Sequence, residues 1–246
     1  MTHLVSAELL KLRTTRTFWA LAGSTFALIL LIVILSLILD DDELVSNESS
    51  VRSLLTTGGL AGLLMLVLGA VVGAGEYRHG TIASTLLVTP NRLRATGAQT
   101  IACALGGLVV GLAASVLIAV IVLPILSARD AVLPGSDVVI RIILGNGLYA
   151  ALAAALGASL GAALRNQVAA IVTLLLIFFV VDPAVSALVE GYMPFSLSGL
   201  SGSITGTSED EADIDLLPQG LAALVWTGYT AVLVGLAALL TSRRDV

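Results

Sequence analysis

Gly75-Glu76-Tyr77-Arg78-His79-Gly80-Thr81-Ile82 interrupts an otherwise apolar chain. Before Glu76 lie 23 residues without a charged side chain, Ser53 to Gly75; after Pro90-Asn91-Arg92-Leu93-Arg94 come 34 more, Ala95 to Ala128. About 20 apolar residues suffice to cross a hydrocarbon core, so the stretch reads as a charged elbow between two membrane helices. The fold class that follows is all-α, a polytopic membrane protein.

Composition agrees. The 246 residues are 57% hydrophobic and only 12% charged, with mean hydropathy +1.04, whereas soluble domains carry about 25% charged residues. Too few charges exist to build a polar shell around a soluble core. No basic stripe with interleaved aromatics is present, which argues against nucleic acid as a partner. Cys103, the only cysteine, lies in an apolar run and excludes an intrachain disulfide or thiolate metal site. Arginine outnumbers lysine eleven to one, a bias that hints at a GC-rich genome, and the chain is read as bacterial.

The spacing predicts six spans, approximately 17–39, 54–75, 98–123, 141–164, 168–189 and 217–241. Residues 1–16 place Val5, Leu9 and Leu12 on one helical face with Glu8, Lys11, Arg13 and Arg16 around it, an N-terminal interfacial helix. The 23 uncharged residues from Thr17 exceed a signal-peptide h-region and are followed by Asp40-Asp41-Asp42-Glu43, not a cleavage site. Gly58/Gly62, Gly69/Gly73, Gly107/Gly111 and Gly157/Gly161 follow the small-xxx-small spacing of closely packed membrane helices. Pro90 stops a short helix begun at Ile82, and Pro124 is expected to end the third span. In the fifth span Asp182-Pro183 follows only 14 apolar residues. Asp182 is either a functional acid embedded in the membrane or the cap of a helical piece with Pro183 at its first position, in which case 183–199 is a broken or re-entrant segment. Residues 190–215, rich in Ser, Gly and acids, read as an extracytoplasmic loop.

With six spans the termini share a side. Lys11, Arg13, Arg16, Arg78, Arg92, Arg94, Arg165, Arg243 and Arg244, nine of the twelve basic residues, fall on that side. The positive-inside rule then makes it the cytoplasmic face of the cell membrane. The 76–94 segment becomes cytoplasmic as well.

Enzyme signals are weak. Gly157-Ala158-Ser159-Leu160-Gly161 matches a serine-hydrolase string, but the only histidines, His3 and His79, are remote from it, and helix packing through the glycines is the preferred reading. Lys11, the sole lysine, follows Leu10, so no G-x-x-x-x-G-K-[ST] loop exists. Neither catalysis nor direct cofactor or metal binding is expected, and any ATP and Mg would be bound by another subunit. Glu76 and Arg78 stand where a span leaves the membrane, and a following helix offers Ile82 and Leu86 on one face. Lipid anchoring by Arg78, Arg92 and Arg94 would require neither Glu76, the Gly80 turn nor an apolar-faced helix, so the elbow reads as a docking segment for a partner protein.

Glu8 and Leu9 to Arg13 before the first span, Gly75-Glu76-Tyr77-Arg78-His79-Gly80-Thr81 with Leu86-Leu87 and Thr89-Pro90 after the second, and the six-span layout resemble permease subunits of ABC transporters of the ABC-2 export type. The resemblance covers nearly the whole chain. It implies a coupling helix between the second and third spans, seated in a cleft of a separate cytoplasmic ATPase subunit, with Glu76, Tyr77, Arg78 and His79 at that interface. It further implies a second permease chain, identical or paralogous, and short extracytoplasmic helices between the fifth and sixth spans. The expected function is ATP-driven export of a hydrophobic or amphipathic substrate; the alternatives are a secondary transporter and a non-transporting anchor or sensor partner of an ATPase.

Overall fold

An apolar run in hydrocarbon must hydrogen-bond its own backbone, which leaves the helix as the economical solution for a single segment. The computed structural model describes residues 2–39, 45–78, 87, 91–207 and 216–243, and contains no strand among them. Helix α1 spans Thr2–Thr14 and α2 Arg16–Leu39. Next come α3, Glu48–Thr56, a 3₁₀ turn at Thr57–Gly59, and α4, Leu60–Arg78. Helix α5 is Arg92–Ser127 and α6 Ser136–Leu164. Helix α7, Gln167–Leu176, runs through a π turn at Ile177–Val181 into α8, Asp182–Leu188. Helix α9 is Leu197–Thr205, and α10 is Gln219–Arg243. Six helical stretches are long and apolar enough to cross a membrane.

Helix α6 is the axis of the bundle. Glycine and alanine let its backbone touch those of its neighbours: a Cβ at Gly157 would meet the carbonyl oxygen of Leu66, and one at Gly161 that of Ala70. From the other side, Gly69 and Gly73 lie against the backbone at Ala154 and Ala158. Helix α5 repeats the device through Gly107 and Gly111, against Ala150 and Asn146. Without a hydrophobic drive between helices in lipid, dispersion at this range supplies the attraction. Trp226 of α10 packs edge-to-face on Tyr149 of α6, ring centroids 5.5 Å apart.

Several expectations need correction. Pro124 does not end the third span: α5 continues to Ser127 and, with 36 residues, is about 54 Å long. The proline loses the one bond its own nitrogen would make to the Val120 carbonyl, but its carbonyl still accepts from the Ala128 N–H at 3.1 Å, so the turn after it forms normally. The polar stretch before the second span is partly helical, and an Arg52–Glu48 pair at 2.7 Å joins successive turns of α3. The helix runs through Asp182-Pro183 and breaks only after Leu188, so 183–199 is a broken segment whose break falls later than the proline. The π turn ends at Val181, two residues before Pro183, and widens the coil where the proline ring would otherwise press on the carbonyl of Phe179. Within 190–215, read from composition as loop, residues 197–205 form a short helix of the kind the resemblance implies between the fifth and sixth apolar stretches, and Leu200 and Ile204 are fully buried.

Replacing Gly157 by Val is expected to lower the unfolding midpoint in detergent, at a cost of about 1–3 kcal/mol for overpacking. Gly228→Ala, where nothing lies within 4 Å of the added atom, should leave the midpoint unchanged or raise it.

Candidate functional site

At the carboxyl end of α4 the first three charged or aromatic residues of the elbow each reach a different element. Glu76 Oε1 accepts from Lys11 Nζ of α1 at 2.7 Å. Tyr77 lies under the Arg165 guanidinium, 5.0 Å from ring centroid to Cζ, within the range of a cation–π contact. Arg78 Nη1 donates to Gln167 Oε1 of α7 at 2.8 Å. Thus Glu76, Tyr77 and Arg78 are brought together and joined to α1, to the turn after α6 and to the start of α7. His79, Ile82 and Leu86 lie outside the described residues, as does most of the expected coupling helix.

Local sequence explains each partner. Leu12 is buried, and it and Phe18 pack beside Gly106 of α5, which turns Glu8 and Lys11, three residues apart, toward the end of α4. Lys11 Nζ donates to Glu8 Oε1 as well, at 2.6 Å. Arg165 ends α6 in the left-handed conformation, φ 55°, with its N–H on the Gly161 carbonyl. That turn swings its side chain over Tyr77 and to the Leu240 carbonyl of α10 at 3.4 Å. Asn166 then starts α7 by accepting from the Val168 and Ala169 amides, both at 3.1 Å.

Burial raises the pKa of Glu8 above its ordinary 4.5, aided by Glu76 and opposed by the hydrogen bond and charge of Lys11. For Lys11 burial acts downward, but hydrogen bonds and charge from Glu76 and Glu8 outweigh it and leave its pKa raised. The two partners therefore move the same way: the lysine gains from the pairing, while Glu8 remains dominated by desolvation. Beside this cluster is a cavity of about 630 Å³ bounded by α1, α4, α5 and Gln167.

Asp182 occupies a different place, between α8 and the start of α9. Its side chain caps neither its own helix nor solvent: Oδ1 accepts from the Leu197 N–H at 2.9 Å and the Tyr192 hydroxyl at 3.1 Å, and Oδ2 from the Ser198 N–H at 3.0 Å and its hydroxyl at 2.7 Å. Asp182 is 2% exposed, and four donors make the buried charge tolerable. Ser196 adds the usual cap, accepting from Gly199 N at 2.8 Å. The carboxylate thus pins the amino end of α9, 15 residues away in sequence, while the Gln219 amide holds its far end through the Ile204 carbonyl at 2.7 Å. Ser159, of the hydrolase-like string, donates to the Ala155 carbonyl at 2.7 Å deep in the bundle, a packing role and not a poised nucleophile.

Sequence reasoning missed Lys11, Arg165 and Gln167 as partners of the elbow. A sole lysine three residues after Glu8 was visible, yet nothing in the sequence paired it with Glu76 across 65 positions. No protein-family model matches the chain, and comparison with curated proteins finds no match.

Asp182→Asn puts an amide among donors and is expected to lower stability by about 1–3 kcal/mol; Tyr192→Phe removes one bond of the four and should cost less, both measured as unfolding midpoints in detergent. Since Glu8 has a raised folded pKa, its ionisation opposes folding: the penalty is absent below the ordinary value and grows as pH rises through the folded one. From about pH 4 to about pH 7 the native midpoint should therefore fall further than that of Glu8→Gln.

Proposed function

We propose that this chain is the membrane-spanning permease subunit of an ATP-driven exporter of the ABC-2 type, paired with a second permease copy or paralogue and with separate cytoplasmic ATPase subunits that bind ATP and Mg. The observation that carries the reading is the root of the elbow. Glu76, Tyr77 and Arg78, the described part of the segment that resembles the family's coupling region, connect one helix end to α1, to Arg165 and thence α10, and to α7. A partner pressing on the residues that follow would move four elements together, as switching between two helix packings requires.

The orientation follows from the charge sorting: both termini and the elbow in the cytoplasm of a bacterial cell, with α9 on the opposite side. The bundle supplies the apolar path and the ATPase the energy. Cargo is an amphipathic or hydrophobic molecule, in keeping with the apolar, weakly charged spans. A secondary transporter would call on a titratable acid in the bilayer, and Asp182, the candidate for that role, is occupied by four donors from Tyr192, Leu197 and Ser198.

Purifying the chain together with the products of its neighbouring genes is expected to recover an ATPase that carries a phosphate-binding loop. Glu76→Ala combined with Arg78→Ala should reduce ATP turnover in that complex by at least about tenfold, the effect of about 1.4 kcal/mol. Recovery of no ATPase, or turnover unaffected by the double substitution, overturns the reading.

A further inference from the structure

The cavity beside α1 carries charges that the protein does not fully match within itself. Lys11 meets one oxygen, Oε1, of Glu8, and Glu8 Oε2 receives no hydrogen bond among the described residues. The same ammonium also serves Glu76. On the neighbouring wall, the Arg78 guanidinium has a neutral amide, Gln167, as its hydrogen-bond partner, and no carboxylate lies within ion-pair distance of it among the described residues. Two poles of opposite sign therefore face one space.

That space holds about 630 Å³, within the roughly 300–1,000 Å³ of small-molecule sites. The rest of its wall is mixed: Leu12, Val71 and Val72 are apolar, while threonines between positions 14 and 17 and Gln99 add polar groups. A simple anion would meet Arg78 but also the two carboxylates, and a simple cation would meet the reverse conflict. A ligand with a phosphate and a primary ammonium a few bonds apart satisfies both poles: the guanidinium fork suits phosphate oxygens, and an ammonium brings donors to Glu8 Oε2. Leu12, Val71 and Val72 offer contact to the carbon chain attached to such a group, and the threonines and Gln99 to its ester and glycerol oxygens. Helix α1 lies where the apolar runs of α2 and α4 give way to charge, the depth at which headgroups sit.

We propose that this cavity is a binding site for the phosphoethanolamine headgroup of a bilayer phospholipid, with Arg78 holding the phosphate and Glu8 the ammonium. The raised pKa of Glu8 agrees with a carboxylate that burial has removed from water. The site needs no ATPase: it belongs to the chain alone, so its test and the docking test fail separately.

The full chain, purified in detergent, is offered phosphatidylethanolamine, phosphatidylcholine or phosphatidylglycerol of identical acyl composition, and retained lipid is counted by native mass spectrometry. Expected is one phosphatidylethanolamine per chain, held about tenfold more strongly than phosphatidylcholine, the worth of one charge-assisted hydrogen bond. Glu8→Gln should erase the ethanolamine-over-choline preference, and Arg78→Gln should weaken retention of all three lipids. Equal retention of the three headgroups by the native chain overturns the proposal, as does a preference that survives both substitutions in chains that elute as native. Soluble phosphoethanolamine is the remaining arm; if it raises the unfolding midpoint while no phospholipid is selectively retained, the lipid as source is refuted.

Discussion

Backbone-to-backbone contact along α6 is the constraint from which the other placements follow. Helices that meet at glycine cannot shift sideways or rotate by a residue without driving a carbonyl into a Cβ, so Gly69, Gly73, Gly157 and Gly161 fix the register of α4 on α6 as well as their distance. Gly107 and Gly111 do the same for α5. Since α4 and α5 flank the elbow, its root inherits a fixed position from contacts buried well inside the bundle. The outer helices are held differently: in α2, in α7–α8 and in α10 only about a fifth of the most apolar window is buried, and polar contacts near their ends do more of the positioning.

Those end contacts share a logic. A helix leaves four donors and four acceptors unsatisfied at its termini, and in an apolar chain few side chains are at hand to meet them. Asn166 and Ser196 do so locally, whereas Asp182 and Gln219 do it at a distance, each closing one end of α9. Arg165 adds a third variety: its left-handed backbone closes α6, and its side chain serves Tyr77 and α10. The few polar residues thus act as joints between elements.

Much of this was legible in the sequence. Uncharged runs of about 20 residues give helices almost without ambiguity, and all four glycine pairs found by spacing lie at close contacts: three meet a neighbouring backbone, while Gly58 and Gly62 make room for side chains, those of Ser115 and Asn146 and the Tyr149 ring. The two prolines were misjudged because one lost bond need not end a helix: the Pro124 carbonyl still closes the next turn onto Ala128, and Pro183 follows a widened coil. Side-chain partnerships over long separations were not legible. Lys11 with Glu76, Arg78 with Gln167, and Asp182 with Ser198 depend on how helices lie against each other, which periodicity does not encode. Hence Glu76, Tyr77 and Arg78, which read as outward-facing docking residues, also prove to be internal connectors.

The π turn at Ile177–Val181 has a consequence for which residue the fifth span turns inward. Ala170 and Leu174 face the bundle, and at about 100° per residue an unbroken α-helix would bring Ile177 and Phe178 and then Val181 to that face, with Asp182 rotated toward lipid. One extra residue in the coil advances the phase by a position, so that Val181 is 48% exposed and Asp182 is buried. The turn acts as an angular spacer between two halves of one span: the first keeps the phase of the bundle, and the second is set by the needs of a carboxylate. Insertions or deletions between 175 and 181 would therefore be felt in α9, a helix they do not touch, before they were felt in the span that contains them.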